Sequence, residues 1–133
     1  GWSVRELLYE RSGGGGQGTV LIHRPSSAGD GVLPLLYYIH GGGFTLGSPE
    51  EIIAISLANL LLKQGLPVVF AMPRYRLAPE HPCPAAAEDC IAGLSALLGR
   101  PEAAQEYGFL PGSAHVAGSS AGANLAAVVM LEM

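Results

Sequence analysis

Short, continuously apolar runs alternate along this chain with longer segments in which apolar residues recur at helical spacing. Leu35-Leu36-Tyr37-Tyr38-Ile39 and Val68-Val69-Phe70-Ala71-Met72 carry no polar interruption, the pattern of strands covered on both faces of a parallel sheet. Thr19-Val20-Leu21-Ile22-His23 and Ala114-His115-Val116-Ala117 are shorter β-rich segments, the latter read as a buried strand, and Trp2 to Glu10 reads as a first strand. The pattern predicts strands near 19–24, 34–40, 67–72 and 114–118. Between them, Ile52, Ile53, Leu57, Leu60 and Leu61 recur at roughly helical spacing and define the apolar face of a helix near 49–64. Ser48-Pro49-Glu50-Glu51 reads as its capping box, with Ser48 at the N-cap and Glu51 at N3, and Gly65 with Pro67 stops it. Further helices are predicted near 84–98, stopped by Gly99 and Pro101, and near 121–133, with a helical turn around Glu102 to Tyr107. Pro79, Pro82 and Pro84 keep the intervening segment extended.

Strand and helix in alternation imply right-handed crossovers and an α/β fold of three layers (αβα) around a mainly parallel sheet. The last helix meets Met133 with no glycine, proline or cap, so residues 1–133 are read as a partial domain, truncated after that helix. Composition agrees. Of 133 residues, 49% are hydrophobic and only 14% charged, where an ordinary domain carries roughly a quarter. This excludes disorder and describes a chain that is mostly interior. The net charge of −4, with no basic stripe, excludes nucleic acid and anionic membrane as partners. The uncharged stretch Tyr107 to Leu131 contains Pro111, four glycines and three serines, which rules it out as a membrane span. No secretory pattern opens the chain, which favours the cytoplasm and leaves localisation otherwise open.

Four features invite chemistry. Gly13, Gly15 and Gly18 spell the dinucleotide fingerprint, but a β-rich segment follows where a helix is required, so the tract is read as a hairpin loop. Cys83 and Cys90 match no zinc or redox spacing and are read as two small buried hydrophobes on one helix face. The third motif, Gly118-Ser119-Ser120-Ala121-Gly122, is G-x-S-x-G between a predicted strand and a predicted helix, the setting of a nucleophile elbow. Only Ser120 has glycine two residues away on both sides, as a sharp strained turn needs, so Ser120 is the candidate nucleophile. His40-Gly41-Gly42-Gly43 follows an earlier strand, where consecutive glycines let backbone amides approach a substrate oxygen. With the amide of Ala121 they would form an oxyanion hole.

On these residues the chain resembles the hormone-sensitive-lipase-like group of α/β-hydrolases, the fold-3 carboxylesterases. Tyr38 to Phe44, Tyr75 to Pro82 and Gly118 to Ala126 carry the resemblance, Pro84, Ala85, Ala86, Glu88 and Asp89 also fit, and it extends from Leu33 onward. It implies an ester hydrolase acting through an acyl-enzyme on a small-molecule ester, with neither cofactor nor metal. Ser120 is then the nucleophile, and Gly42, Gly43 and Ala121 supply the oxyanion amides. His40, Gly41, Gly118 and Gly122 support the two loops, and Tyr75 to Pro82 is a structural loop. The family usually has Asp where Ser119 stands and Gly where Ala123 stands.

The triad of such enzymes runs Ser, then acid, then His. After Ser120 there is only Glu132, about 18 Å away along the same predicted helix, and no histidine. His23, His81 and His115 are read as structural, and Asp30 and Asp89 precede the nucleophile without motif support. A serine without its base is a weak nucleophile, so these 133 residues alone are not expected to be an efficient esterase. A non-catalytic, receptor-type ligand-binding protein and an inactive truncated paralogue are the alternatives.

Overall fold

A computed structural model describes residues 1–133. Its first two strands, β1 (Trp2–Glu10) and β2 (Gln17–Pro25), pair antiparallel from Trp2 opposite Pro25 to Glu10 opposite Gln17. The glycine tract closes this hairpin, with Arg11 N–H donating to the Gly16 carbonyl at 2.8 Å. The order then alternates: β3 (Leu33–Ile39), α1 (Ile52–Lys63), β4 (Val69–Pro73), α2 (Ala85–Gly99), α3 (Pro101–Tyr107), β5 (Phe109–Gly118) and α4 (Ala121–Glu132). The strands form one sheet in the order β1-β2-β4-β3-β5. β3 runs parallel to β4 and to β5, whereas β2 meets β4 antiparallel, so the sheet is mixed rather than mainly parallel. The reason is connectivity: a short loop joins β1 to β2 and forces antiparallel pairing, while each helix-bearing crossover returns the chain parallel.

Alternation along the strands sorts the core into two faces. Leu35, Tyr37 and Ile39 of β3, Val69 and Ala71 of β4, and Val20 and Ile22 of β2 pack with Cys90, Leu94 and Leu97 of α2 and Leu125, Ala126 and Val129 of α4. Tyr38, Phe70 and Met72 face the opposite way and pack with Ala54 and Ala58 of α1. This is the three-layer arrangement, with α1 on one side and α2, α3 and α4 on the other. α2 lies so close to the sheet that a methyl group on Gly93 would sit 2.6 Å from Tyr37 Oη and 2.9 Å from Val20 Cγ2.

Several expectations are corrected. α1 starts at Ile52 with Glu51 as its N-cap residue, no side chain caps it, and Ser48 to Glu51 are outside the helix. Its buried stripe is Ala54 and Ala58, with Leu57 and Leu61 half-buried, because small residues let the helix approach the sheet; Ile52, Ile53 and Leu60 are exposed. β5 begins at Phe109 and pairs only with β3, so as an edge strand it is half-buried at best beyond Phe109, and His115 is exposed rather than interior. Cys90 is fully buried in α2, but Cys83 is exposed in the preceding loop. No helix is long and apolar enough to cross a membrane.

Candidate active site

The parallel pairing of β3 with β5 sets Ile39 opposite Gly118. Both strands therefore release the chain at the same end of the sheet, where ligands bind in open α/β folds. His40 to Gly43 and Ser119 to Gly122 emerge side by side.

Ser120 occupies φ 52°, ψ −118°, one of two non-glycine residues at positive φ. Such a conformation costs of order 1–3 kcal/mol and persists only where the surroundings enforce it. Here the enforcement is tight packing. A methyl group on Gly122 would collide with the Ile39 carbonyl, and one on Gly118 with the Gly122 carbonyl. The turn is closed by Gly122 N–H to Ser119 O at 2.8 Å and tied to β3 by Ser119 N–H to Ile39 O at 3.3 Å. Ser120 itself is exposed, immediately ahead of Ala121, the first residue of α4. The amide of Ala121 is among the four with no acceptor inside the helix, and the helix dipole favours negative charge beside it.

The glycine loop lies directly on this turn. A methyl group on Gly41 would stand 2.9 Å from Ser119 O and 3.4 Å from Ser120 Cβ. Gly42 takes φ 129° and Gly43 φ 63°, and the Gly42 carbonyl accepts from Thr45 N–H and Leu46 N–H at 3.2 and 2.9 Å. The amides of Gly42 and Gly43 donate to no other group in the chain, so both are free for an incoming oxygen.

His40 is 2% exposed and stacked on Tyr75, ring centroids 4.2 Å apart. Its Nδ1 lies 2.6 Å from the Gly41 carbonyl, which can only accept, so the proton sits on Nδ1. Burial lowers its pKa below the ordinary histidine value. His40 is thus a neutral strut of the loop. Tyr75 Oη donates to the His40 carbonyl at 2.7 Å, which gives the proline-rich segment its role as a support.

Beneath that segment, Asp89 is 1% exposed and receives Arg11 Nε at 2.8 Å, Arg76 Nε and Nη2 at 3.0 Å each, and the Arg76 backbone amide at 2.8 Å. Asp89 is therefore a structural anchor. Asp30 lies in the turn before β3, and Glu132 is exposed at the far end of α4. His81 lines, with Phe44, Cys83, Asn124, Leu125 and Val128, a largely apolar cavity of about 280 Å³ against the first turns of α4. No group of three or more His, Cys, Asp or Glu side chains converges as a metal site would require.

Glu51, expected as a capping residue, has other partners. Its Oε1 accepts Ser119 Oγ at 2.9 Å and Tyr38 Oη at 3.1 Å, and its Oε2 accepts Gly41 N–H at 3.3 Å. A carboxylate three residues after a serine, with a proline between them, reads locally as a cap, and nothing in the local pattern reveals its partners 10 to 68 residues away. Ser119, standing where the resemblance expects Asp, is the donor that reaches it.

A strained serine at a strand-to-helix turn, set beside a loop with free glycine amides, is the geometry of a nucleophile elbow and its facing loop on an α/β sheet. Comparison with known proteins agrees: residues 36–133 match the alpha/beta hydrolase fold family, and the chain belongs to it, in its hormone-sensitive-lipase-like carboxylesterase group. It is 46% identical over 107 residues to the carboxylic ester hydrolase LipN of Mycobacterium tuberculosis, an alignment covering 80% of this chain and 27% of the relative. It is 37% identical over 98 residues to arylacetamide deacetylase of Bos taurus, covering 74% and 24%. Among solved structures, an esterase of Rhizomucor miehei superposes with a TM-score of 0.85 at 29% identity, covering 99% of this chain and 39% of that one. The hyperthermophilic esterase of Pyrobaculum calidifontis gives 0.80 at 36%, covering 98% and 38%. The chain thus spans about a quarter of the curated relatives' length.

Proposed function

We propose that the protein to which these residues belong is a carboxylic-ester hydrolase working through an acyl-enzyme on small-molecule esters. The observation that carries this reading is Ser120 at φ 52°, ψ −118°, with the Gly41 loop packed against it. Ser120 Oγ attacks the ester carbonyl carbon and forms the new C–O bond as the carbonyl electron pair moves onto oxygen. The free amides of Gly42 and Gly43, with that of Ala121, receive this oxyanion. Its collapse expels the alcohol and leaves Ser120 acylated, and water reverses the sequence to release the acid. Residues 1–133 then form a partial hydrolase domain that supplies the nucleophile and the electrophilic half of the site. His40 is buried, neutral and already engaged, so the histidine and acid that move the proton are assigned to other parts of the protein. The relatives, of which this chain spans about a quarter, have room for them.

The test is labelling of the full gene product by a serine-directed fluorophosphonate, with p-nitrophenyl acetate and butyrate as substrates. Modification at Ser120, with labelling and turnover abolished in Ser120→Ala, is expected. A folded product that neither labels nor turns over would refute the hydrolase and favour the ligand-binding alternative.

A further inference from the structure

Glu51 stands between the two candidate motifs and belongs to neither. Three donors from three elements converge on its carboxylate: the Tyr38 hydroxyl of β3, the Gly41 amide of the glycine loop and the Ser119 hydroxyl of the elbow. A carboxylate is the one side-chain group that offers only acceptors to such a set, and bonds to an ionised acceptor are stronger than neutral ones. The residue forgoes capping α1 to do this, since no side chain caps that helix. Its neighbour Glu50 has a different environment, paired on the surface with Arg74 at 2.9 Å. The Glu51 contacts fall one residue before Gly42 and one before Ser120. Gly42 and Gly43 are otherwise secured only by the turn bonds to the Gly42 carbonyl.

We propose that Glu51 is a positioning residue: its carboxylate is the clasp that locks the Gly41 loop onto the nucleophile elbow and so holds the Gly42 and Gly43 amides in place around Ser120. The role in turnover rests on the esterase reading; the clasp itself does not. Without the clasp the loop keeps its turn bonds and the His40–Tyr75 support at its root but loses its tie to the elbow side chain, and its amides spend less time where a developing oxyanion needs them. The ground state, in which the carbonyl carries little charge, is affected less.

The experiment compares Glu51→Ala, Glu51→Gln and Glu50→Ala in the full gene product, by steady-state kinetics on p-nitrophenyl butyrate and by hydrogen exchange of peptides spanning 40–47. Glu51→Ala should lower kcat about 10- to 100-fold, with KM within about threefold, because the lost interaction acts in the transition state. Exchange across 40–47 should rise about tenfold or more. Gln keeps an acceptor for Gly41 and offers an NH₂ group to hydroxyls that can accept, so Glu51→Gln should recover to within about fivefold of wild type. Glu50→Ala removes the same charge one residue away and should match wild type. Unchanged exchange in Glu51→Ala, or an equal loss in Glu50→Ala, would overturn the clasp. An inactive, unlabelled wild type would remove the esterase reading instead, and the exchange result would still decide the clasp.

Discussion

Removing the Asp89 carboxylate should be among the most damaging single changes in this chain, even though Asp89 does not touch the reacting atoms. Two guanidinium groups and one backbone amide converge on a side chain that is 1% exposed. Breaking a buried pair by deleting one partner typically costs about 3–5 kcal/mol, because the surviving charge remains buried without a counterion. Here the Arg11 and Arg76 side chains retain 16% and 20% exposure and regain some water. Asp89→Ala therefore belongs at the lower end, about 3 kcal/mol. In the full gene product, whose solved neighbours are more than twice this chain's length, about 1–2 °C per kcal/mol applies, so Tm should fall by about 3–6 °C. Glu106→Ala is the control: its pair with Arg5 is about half exposed, and such pairs contribute less than about 1 kcal/mol. The damage should extend to the site. Asp89 holds the Arg76 amide, Tyr75 precedes it, and the Tyr75 hydroxyl holds the His40 carbonyl at the root of the glycine loop. Urea and thermal unfolding followed by circular dichroism, with activity per folded molecule measured in parallel, check both parts. A loss no larger than that of Glu106→Ala would refute the assignment of Asp89 as a buried anchor.

Three further outcomes are expected. Gly42→Ala places a side chain at φ 129° and against the Leu46 carbonyl, so the loop must rearrange; kcat should fall about 100-fold or more with little change in KM, measured on p-nitrophenyl butyrate. Burial lowers the pKa values of His23 and His40 below 6.5, so the unfolded chain takes up protons that the folded chain does not. Their contribution to stability is complete above about pH 6.5 and is lost as the pH falls further; urea midpoints from about pH 7.5 to 5 should decline, and His23→Gln should shrink the decline. Burial raises the pKa of the Cys90 thiol and keeps it protonated, whereas Cys83 is exposed; an iodoacetamide pulse followed by peptide mapping should find Cys83 alkylated and Cys90 intact.

Much of the architecture was readable in the residues because it depends on local rules. Uninterrupted apolar runs marked β3 and β4, since strands buried on both faces need no polar side. Gly118 and Gly122 marked the strained turn, since only glycine leaves room there for the Ile39 and Gly122 carbonyls. The glycine tract at 13–18 declared itself a hairpin because β-formers follow it. What the residues alone misjudged depends on partners distant along the chain. The helix predicted from 49 starts at Ile52, and the Glu51 carboxylate is engaged by Tyr38, Gly41 and Ser119 instead of capping it. Ile52, Ile53 and Leu60 have helical periodicity, yet the sheet selects Ala54 and Ala58, whose small size permits close approach. The sheet is mixed because a local hairpin joins a parallel crossover unit, and periodicity carries no information about strand direction. Local residue chemistry alone marks which residues can make a strained turn and an open amide loop. That the two meet follows from long-range pairing, which sets Ile39 opposite Gly118 across parallel strands.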